Sequence, residues 1–198
     1  MFKFKYDPDN KDINNFEKFA STHWGQHSHP GDTTNDFFDR PRLIVEYRDS
    51  QNVIAGLVVF YKTIIVNRSL IHIAGIGGVV THVNYRRKGY GTKLLVKTLK
   101  ELKSQNLDAI LLCTDIKKLG SFYDSVGFKP LNKDYYFFDK NGIKKSEHGG
   151  MYISFNMKAT KIFQSKKTIL NVGLSNFWYL SKQVTNNFLN QIIRYGLI

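Results

Sequence analysis

YRRKGYGTKLL, residues 85–95, decides how the rest of the chain is read. Arg86, Arg87 and Lys88 run into Gly89 and Gly91, and an apolar, helix-prone segment follows at once. The first turn of a helix exposes N–H groups without partners and the positive end of the aligned peptide dipoles. Glycines there remove side chains where an anion would approach the backbone, and Thr92 adds a hydroxyl at the same end. Residues of these types in this order build a pyrophosphate cradle. The competing reading is a basic turn ahead of a surface helix. Two other glycine patterns do not fit. A P-loop needs Gly-Lys-Ser/Thr after a four-residue spacer, and a dinucleotide fingerprint needs a third glycine where Leu94 stands.

Outward from the cradle, Leu94, Leu95, Thr98, Leu99 and Leu102 share one helical face, with Lys93, Lys97, Lys100 and Lys103 outside. Ahead of it, RLIVEY (42–47), NVIAGLVVFYKTII (52–65) and SLIHIAGIGGVVTHV (69–83) read as strands of an antiparallel meander. KFKY is a short strand, and KDINNFEKFASTHWG (11–25) spaces Ile13, Phe16, Phe19 and Ala20 as an amphipathic helix. Residues 25–42 are rich in turn formers and read as a long loop. Behind the cradle, LDAILLCTD (107–115) predicts a strand buried on both faces. IKKLGSFYDSVGF (116–128) predicts a short helix closed by Gly127. DYYFFD (134–139) and GGMYISFNM (149–157) predict two more strands, with a KNG turn after the first. The sum is an α+β sandwich, a mixed and mostly antiparallel central sheet flanked by helices, over residues 1–159. Residues 160–198 read as a helical C-terminal extension whose stripe of Phe177, Leu180, Val184, Phe188, Ile192 and Tyr195 must be covered. Packing on its own domain is the first reading, and a homodimer contact through this helix the second.

Composition narrows the function classes. The chain has 198 residues and a formal net charge of +13. The cations are scattered in pairs, and no sequence-readable nucleic-acid signature is present, so a lysine-rich solvated surface is expected rather than nucleic-acid binding. No run is long and apolar enough to span a bilayer, and the N-terminus lacks the apolar core of a secretory signal, so no membrane partner is expected. The one cysteine, Cys113, cannot form an intrachain disulfide, which suits a reducing cytoplasm. HWGQHSHPGD (23–32) brings His23, His27 and His29 close in sequence, but no carboxylate or cysteine pattern completes a ligand set. No metal is expected, and the segment reads as a polar loop.

RRKGYG, read as Arg/Gln-x-x-Gly-x-Gly, resembles motif A of the GNAT N-acetyltransferase superfamily, which binds the pyrophosphate of acetyl-coenzyme A. FYDSVGF (122–128) is similar to the family's Phe/Leu-Tyr-x-x-x-Gly-Phe element, and the order of elements matches over about residues 40–157. The resemblance implies acetyl transfer from acetyl-coenzyme A to a primary amine of a small molecule, by direct attack in a ternary complex. It implies that Val79, Val80 and Thr81, at the end of the fourth strand, offer backbone groups to the pantetheine arm and thioester. It implies that Arg86, Arg87, Lys88, Gly89, Tyr90, Gly91 and Thr92 hold the pyrophosphate. Tyr123 would then be the general acid to the departing thiolate; its competing role is core packing beside Phe122. The chain departs from the pattern at Ile116, where many members have a pantetheine-binding Asn, and at Gly77, where some have a glutamate base. His82, Asp115 or water are the alternatives for the base. The sheet pattern also resembles the aminoglycoside 2′-N-acetyltransferase branch. Acetylation of protein or peptide amines, and a coenzyme A-binding module without catalysis, stay open beside the first reading.

Overall fold

The computed structural model describes residues 1–24, 40–138 and 142–174. The chain opens with strand β1 (Phe2–Tyr6) and helix α1 (Asn10–Trp24). Asp9 starts α1, its carboxylate accepting the Asp12 N–H at 2.7 Å. The meander follows as β2 (Leu43–Asp49), β3 (Asn52–Val66) and β4 (Ser69–Thr81). β3 and β4 are joined at Asn67 and Arg68, whose φ values of 49° and 62° form the two left-handed positions that a tight hairpin demands. Helix α2 (Tyr90–Lys103) crosses to β5 (Ala109–Cys113), and α3 (Ile116–Asp124) to β6 (Lys129–Pro130). Then come β7 (Tyr135–Phe138), β8 (Lys144–Glu147), β9 (Gly150–Ser154), α4 (Met157–Gln164) and β10 (Leu170–Leu174).

Seven strands form the main sheet in the order β1-β2-β3-β4-β5-β9-β6, and β10-β7-β8 form a second sheet. Within the main sheet only β4 and β5 run parallel, because α2 returns the chain between them. The mostly antiparallel, helix-flanked sheet is the architecture read from the sequence. β5 is buried on both sides: Ile110 and Leu112 pack with Leu94, Leu95 and Leu102 of α2, while Ala109 and Leu111 pack on the opposite face with the α1 side. Each fully buried leucine of α2 contributes about 1.5–3 kcal/mol by leaving water, which is what holds this helix on the sheet.

Three features depart from the expectations. The anticipated pair of strands near residues 134–157 is divided between sheets: β7 pairs with β8, whereas β9 pairs with β5. β8 has the sequence KKSE, with no apolar alternation to announce it. The division expected after residue 159 meets no boundary, because α4 runs through it and buries Ile162 and Phe163 against the same cluster as Ile13, Phe16 and Phe60. Leu170 and Val172 of β10 join that cluster, so residues 160–174 belong to the core. The amphipathic stripe from Phe177 onward lies outside the described residues, as do His27 and His29.

Candidate active site

The site begins where two strands part. β4 and β5 pair from Ile73–Ala109 to Ile76–Leu112 and no further, although β4 continues to Thr81. On its other edge β4 keeps its ladder with β3, interrupted by a bulge: Val58 pairs with Gly77 and Gly56 with Val80, so Gly78 and Val79 oppose Leu57 alone. Gly78 adopts φ +60°, and a Cβ there would meet the Phe16 ring of α1 at 3.1 Å. A glycine is therefore required twice over, for the left-handed turn of the bulge and for the ring beneath it. The backbone of Gly77–Thr81 thus borders a gap in the sheet, where the ladder with β5 has ended. Val79 and Thr81 are half-buried and Val80 is buried.

From Thr81 the chain turns through a short 3-10 helix (Val83–Tyr85) to α2. Gly89 occupies the N-cap with φ 77°, and no side chain caps the helix. The first helical bond runs from the Lys93 N–H to the Gly89 carbonyl at 3.0 Å, so the N–H groups of Tyr90, Gly91 and Thr92 precede the ladder. Gly91 serves close approach: a Cβ would lie 3.3 Å from Thr81 Oγ1 and 3.4 Å from Phe122 Cζ. Its absence lets the mouth of α2 sit against both the end of β4 and α3. The result is an open, uncapped helix N-terminus beside the sheet gap, the arrangement that suits a diphosphate with an arm leading inward.

The cations of this loop divide their tasks. Arg86 donates through Nε to the Thr81 carbonyl at 3.3 Å and through Nη2 to the carbonyl of His23 near the end of α1. It fastens α1 to β4, a role the sequence did not reveal. Lys88 Nζ donates to the Asn84 carbonyl at 3.0 Å and lies 5.4 Å from the Tyr85 ring. Arg87 is exposed with φ 62°.

Tyr123 is buried on the α2 face of the sheet, edge-on to Phe122 at 4.9 Å and to Phe128 at 5.9 Å. Of the residues considered as base, Asp115 caps α3, its carboxylate accepting the Lys118 N–H at 3.3 Å. His82 accepts the Asn84 N–H on Nδ1 at 3.2 Å and lies 4.0 Å from the His23 ring. Burial, and then the neighbouring His82 and Arg86, push the His23 imidazole below its usual range. Ile116, in place of the family's Asn, is the first residue of α3 and packs on Gly120.

On the opposite face of the gap stands a group that sequence reading missed. Cys113 ends β5, and its thiol meets the Glu147 carboxylate of β8 and the Tyr135 phenol of β7. Burial, reinforced by the charge of Glu147, pushes this thiol up to about 12, so it stays protonated. The signal was hidden because KKSE has no apolar alternation to mark a strand.

Residues 8–131 match the acetyltransferase (GNAT) domain, more than half of the chain. The chain belongs to the GNAT acetyltransferase family. Solved GNAT structures share its fold. A GNAT family N-acetyltransferase from Escherichia coli, determined with coenzyme A, is 11% identical with a TM-score of 0.56, covering 92% of this chain and 95% of that one. A GNAT family acetyltransferase from Brucella melitensis, determined with acetyl-coenzyme A, is 13% identical with a TM-score of 0.50, covering 79% and 89%. An N-acetyltransferase from Anabaena variabilis is 18% identical with a TM-score of 0.50; the match covers 68% of this chain but only 33% of that longer one. This chain therefore spans about a third of the length of some GNAT proteins whose fold it shares. Among the described residues no helix is long and apolar enough to cross a membrane.

Proposed function

We propose that this GNAT protein is an N-acetyltransferase, moving acetyl from acetyl-coenzyme A to a primary amine of a small molecule by direct attack in a ternary complex. The observation that carries the reading is the parting of β4 from β5 after Ile76–Leu112, beside the uncapped start of α2. The residues fit the donor. The N–H groups of Tyr90, Gly91 and Thr92, with Arg87 and Lys88 near them, would receive the pyrophosphate, and Gly89 presents no side chain to obstruct it. The backbone of Val79, Val80 and Thr81 would pair with the pantetheine arm as a missing strand pairs with a sheet. An N–H near Val79 or Val80 would steady the oxyanion that forms on the thioester carbonyl. Tyr123, on the α2 face, would give its proton to the departing thiolate. The neighbours determined with coenzyme A and acetyl-coenzyme A support the choice of donor. The lone Cys113 suits a cytoplasmic setting.

Acetyl-coenzyme A should raise the melting temperature of the native protein by mass action. Gly89→Asp should abolish that rise, since it puts bulk and negative charge where the diphosphate enters. A native protein whose melting temperature ignores millimolar coenzyme would refute the donor site. A thiol-release assay with polyamine, aminoglycoside and lysyl-peptide acceptors then separates small-molecule from peptide acetylation, and both from coenzyme binding without transfer.

A further inference from the structure

We propose that Glu147 is the carboxylate that receives the acceptor amine and takes its proton, reached from the face of the sheet that carries α1. This rests on the acetyltransferase reading above and adds its acceptor side. The argument starts from register. Leu112 is the last residue of β5 with a β4 partner, so Cys113 is the first to stand at the open gap. Side chains alternate along a strand, and Leu112 packs on the α2 face with Tyr123. Cys113 accordingly turns to the other face, where it packs with the cluster of Phe16, Phe60 and Tyr135. A Cβ on Gly149, two residues after Glu147, would lie 3.4 Å from the Cys113 sulfur, which brings the end of β8 beside the gap.

The local backbone holds it there. Tyr135 and Glu147 are direct partners across β7 and β8, so their side chains share a side. The His148 N–H donates to Glu147 Oε1 at 3.2 Å. The Thr114 N–H donates to the Gly149 carbonyl at 2.9 Å, and a Cβ on Gly149 would come within 2.2 Å of the Thr114 oxygen. The link from β8 to β9 is thus pinned onto the end of β5 at a distance only glycine permits. Glu147 itself is half-buried, close enough to the gap to act and open enough to meet a ligand. The titratable groups near it include Cys113 from β5, Tyr135 from β7, Lys145 two residues before it on the same side of β8, and His148 beside it on the chain, with Asp134 bonded to the His148 ring at 2.5 Å. Asp115 and His82 are engaged elsewhere, in the α3 cap and in the His23 contact.

Donor and acceptor would then meet from opposite faces of one sheet. The ammonium gives a proton to Glu147, and the freed nitrogen lone pair forms the C–N bond to the thioester carbon. The C–S bond breaks, its electron pair leaves on sulfur, and the thiolate takes the Tyr123 proton. The second nitrogen proton passes to water, Tyr123 is reprotonated from water, and Glu147 returns its proton to water, so one proton is released overall.

The test uses the full chain with spermidine, kanamycin and a lysyl peptide as acceptor probes, following thiol release across pH. Glu147→Gln should keep the melting shift with acetyl-coenzyme A yet lower kcat/KM about 10²-fold near neutrality. The loss should shrink as the pH rises and the amine sheds its proton unaided. Glu147→Asp, which restores a carboxylate, should recover part of the rate and serves if the Gln variant does not fold. A Gln variant at the native rate, or a loss that is constant across pH, overturns the proposal. A native protein that binds the coenzyme but releases no thiol with any probe overturns the acceptor site and leaves the donor site standing. A native protein that shows no melting shift overturns the acetyltransferase reading itself.

Discussion

Gly89 and Gly91 stand two positions apart and are glycine for different reasons. Gly89 needs the left-handed region and has open space where a Cβ would go; Gly91 has an ordinary backbone but touches Thr81 and Phe122. Their substitutions should therefore separate. Gly89→Ala should cost about 1–2 kcal/mol in denaturant unfolding, through backbone conformation alone. Gly91→Val should cost about 1–3 kcal/mol through overpacking, and should weaken coenzyme binding further by prising α2 from β4. Tyr123→Phe should keep coenzyme binding and lower turnover about 10²-fold in an assay limited by chemistry. At this scale the sequence marked the two glycines and the start of a helix beside them, but not that Gly91 lies against Thr81 and Phe122. It was least informative about Arg86 and Glu147. One is turned toward the α1 carbonyl of His23, and the other meets a thiol 34 positions away, contacts that exist only once distant segments meet.

Among the elements, Asp108 is where β4, β5 and α4 are tied. Its backbone N–H donates to the His72 carbonyl and its carbonyl accepts from Phe155, both at 2.8 Å. Its carboxylate accepts the His72 N–H at 2.8 Å and the Asn156 amide, with Lys158 Nζ at 3.5 Å. Burial pushes this carboxyl up, but the two donors and the ammonium together outweigh it and leave it below its ordinary value. A depressed carboxyl contributes stability above its unfolded value of 3.8 and loses it as the pH falls through the lower folded value. Asp108→Asn should thus be less stable by about 1–3 kcal/mol at pH 7, and the gap to native should close in acid below 3.8. Urea unfolding at several pH values measures both. The main strands and α1 to α3 were legible because their apolar residues recur at 2 or 3.6 positions. β8 was not, since an exposed strand of lysines and serine has no face to bury. The small sheet escaped for the same reason, being defined by a pairing rather than by a pattern.

For the molecule as a whole, the core crosses the division after residue 159 that the sequence pattern suggested. Ile162, Phe163, Leu170 and Val172 cover the face built from α1, β3 and β4. A chain cut after residue 159 should lose cooperative unfolding and bind the dye ANS, which the native protein should not. An unaltered sharp transition would return residues 160–174 to the status of an appendage. The charge of +13 acts at this scale too. It should speed the encounter with anionic coenzyme, so the association rate measured by stopped flow should fall steeply with added salt while that of a neutral pantetheine fragment should not.

The lateness of β10 bears on how the protein is made. β10 lies parallel to β7 and lines the same core as α1, yet it is among the last of the described segments to be synthesised. At about 5–20 residues per second, the β3–β4 hairpin waits several seconds on the ribosome before residues 162–172 exist to cover it. Through that interval Ile64, Val66, Ile71 and Ile73 form a bare apolar ledge on the nascent chain. Ribosome-associated chaperones should therefore hold this chain until α4 and β10 emerge, and slow codons placed before residue 157 should lengthen that custody and lower the soluble yield.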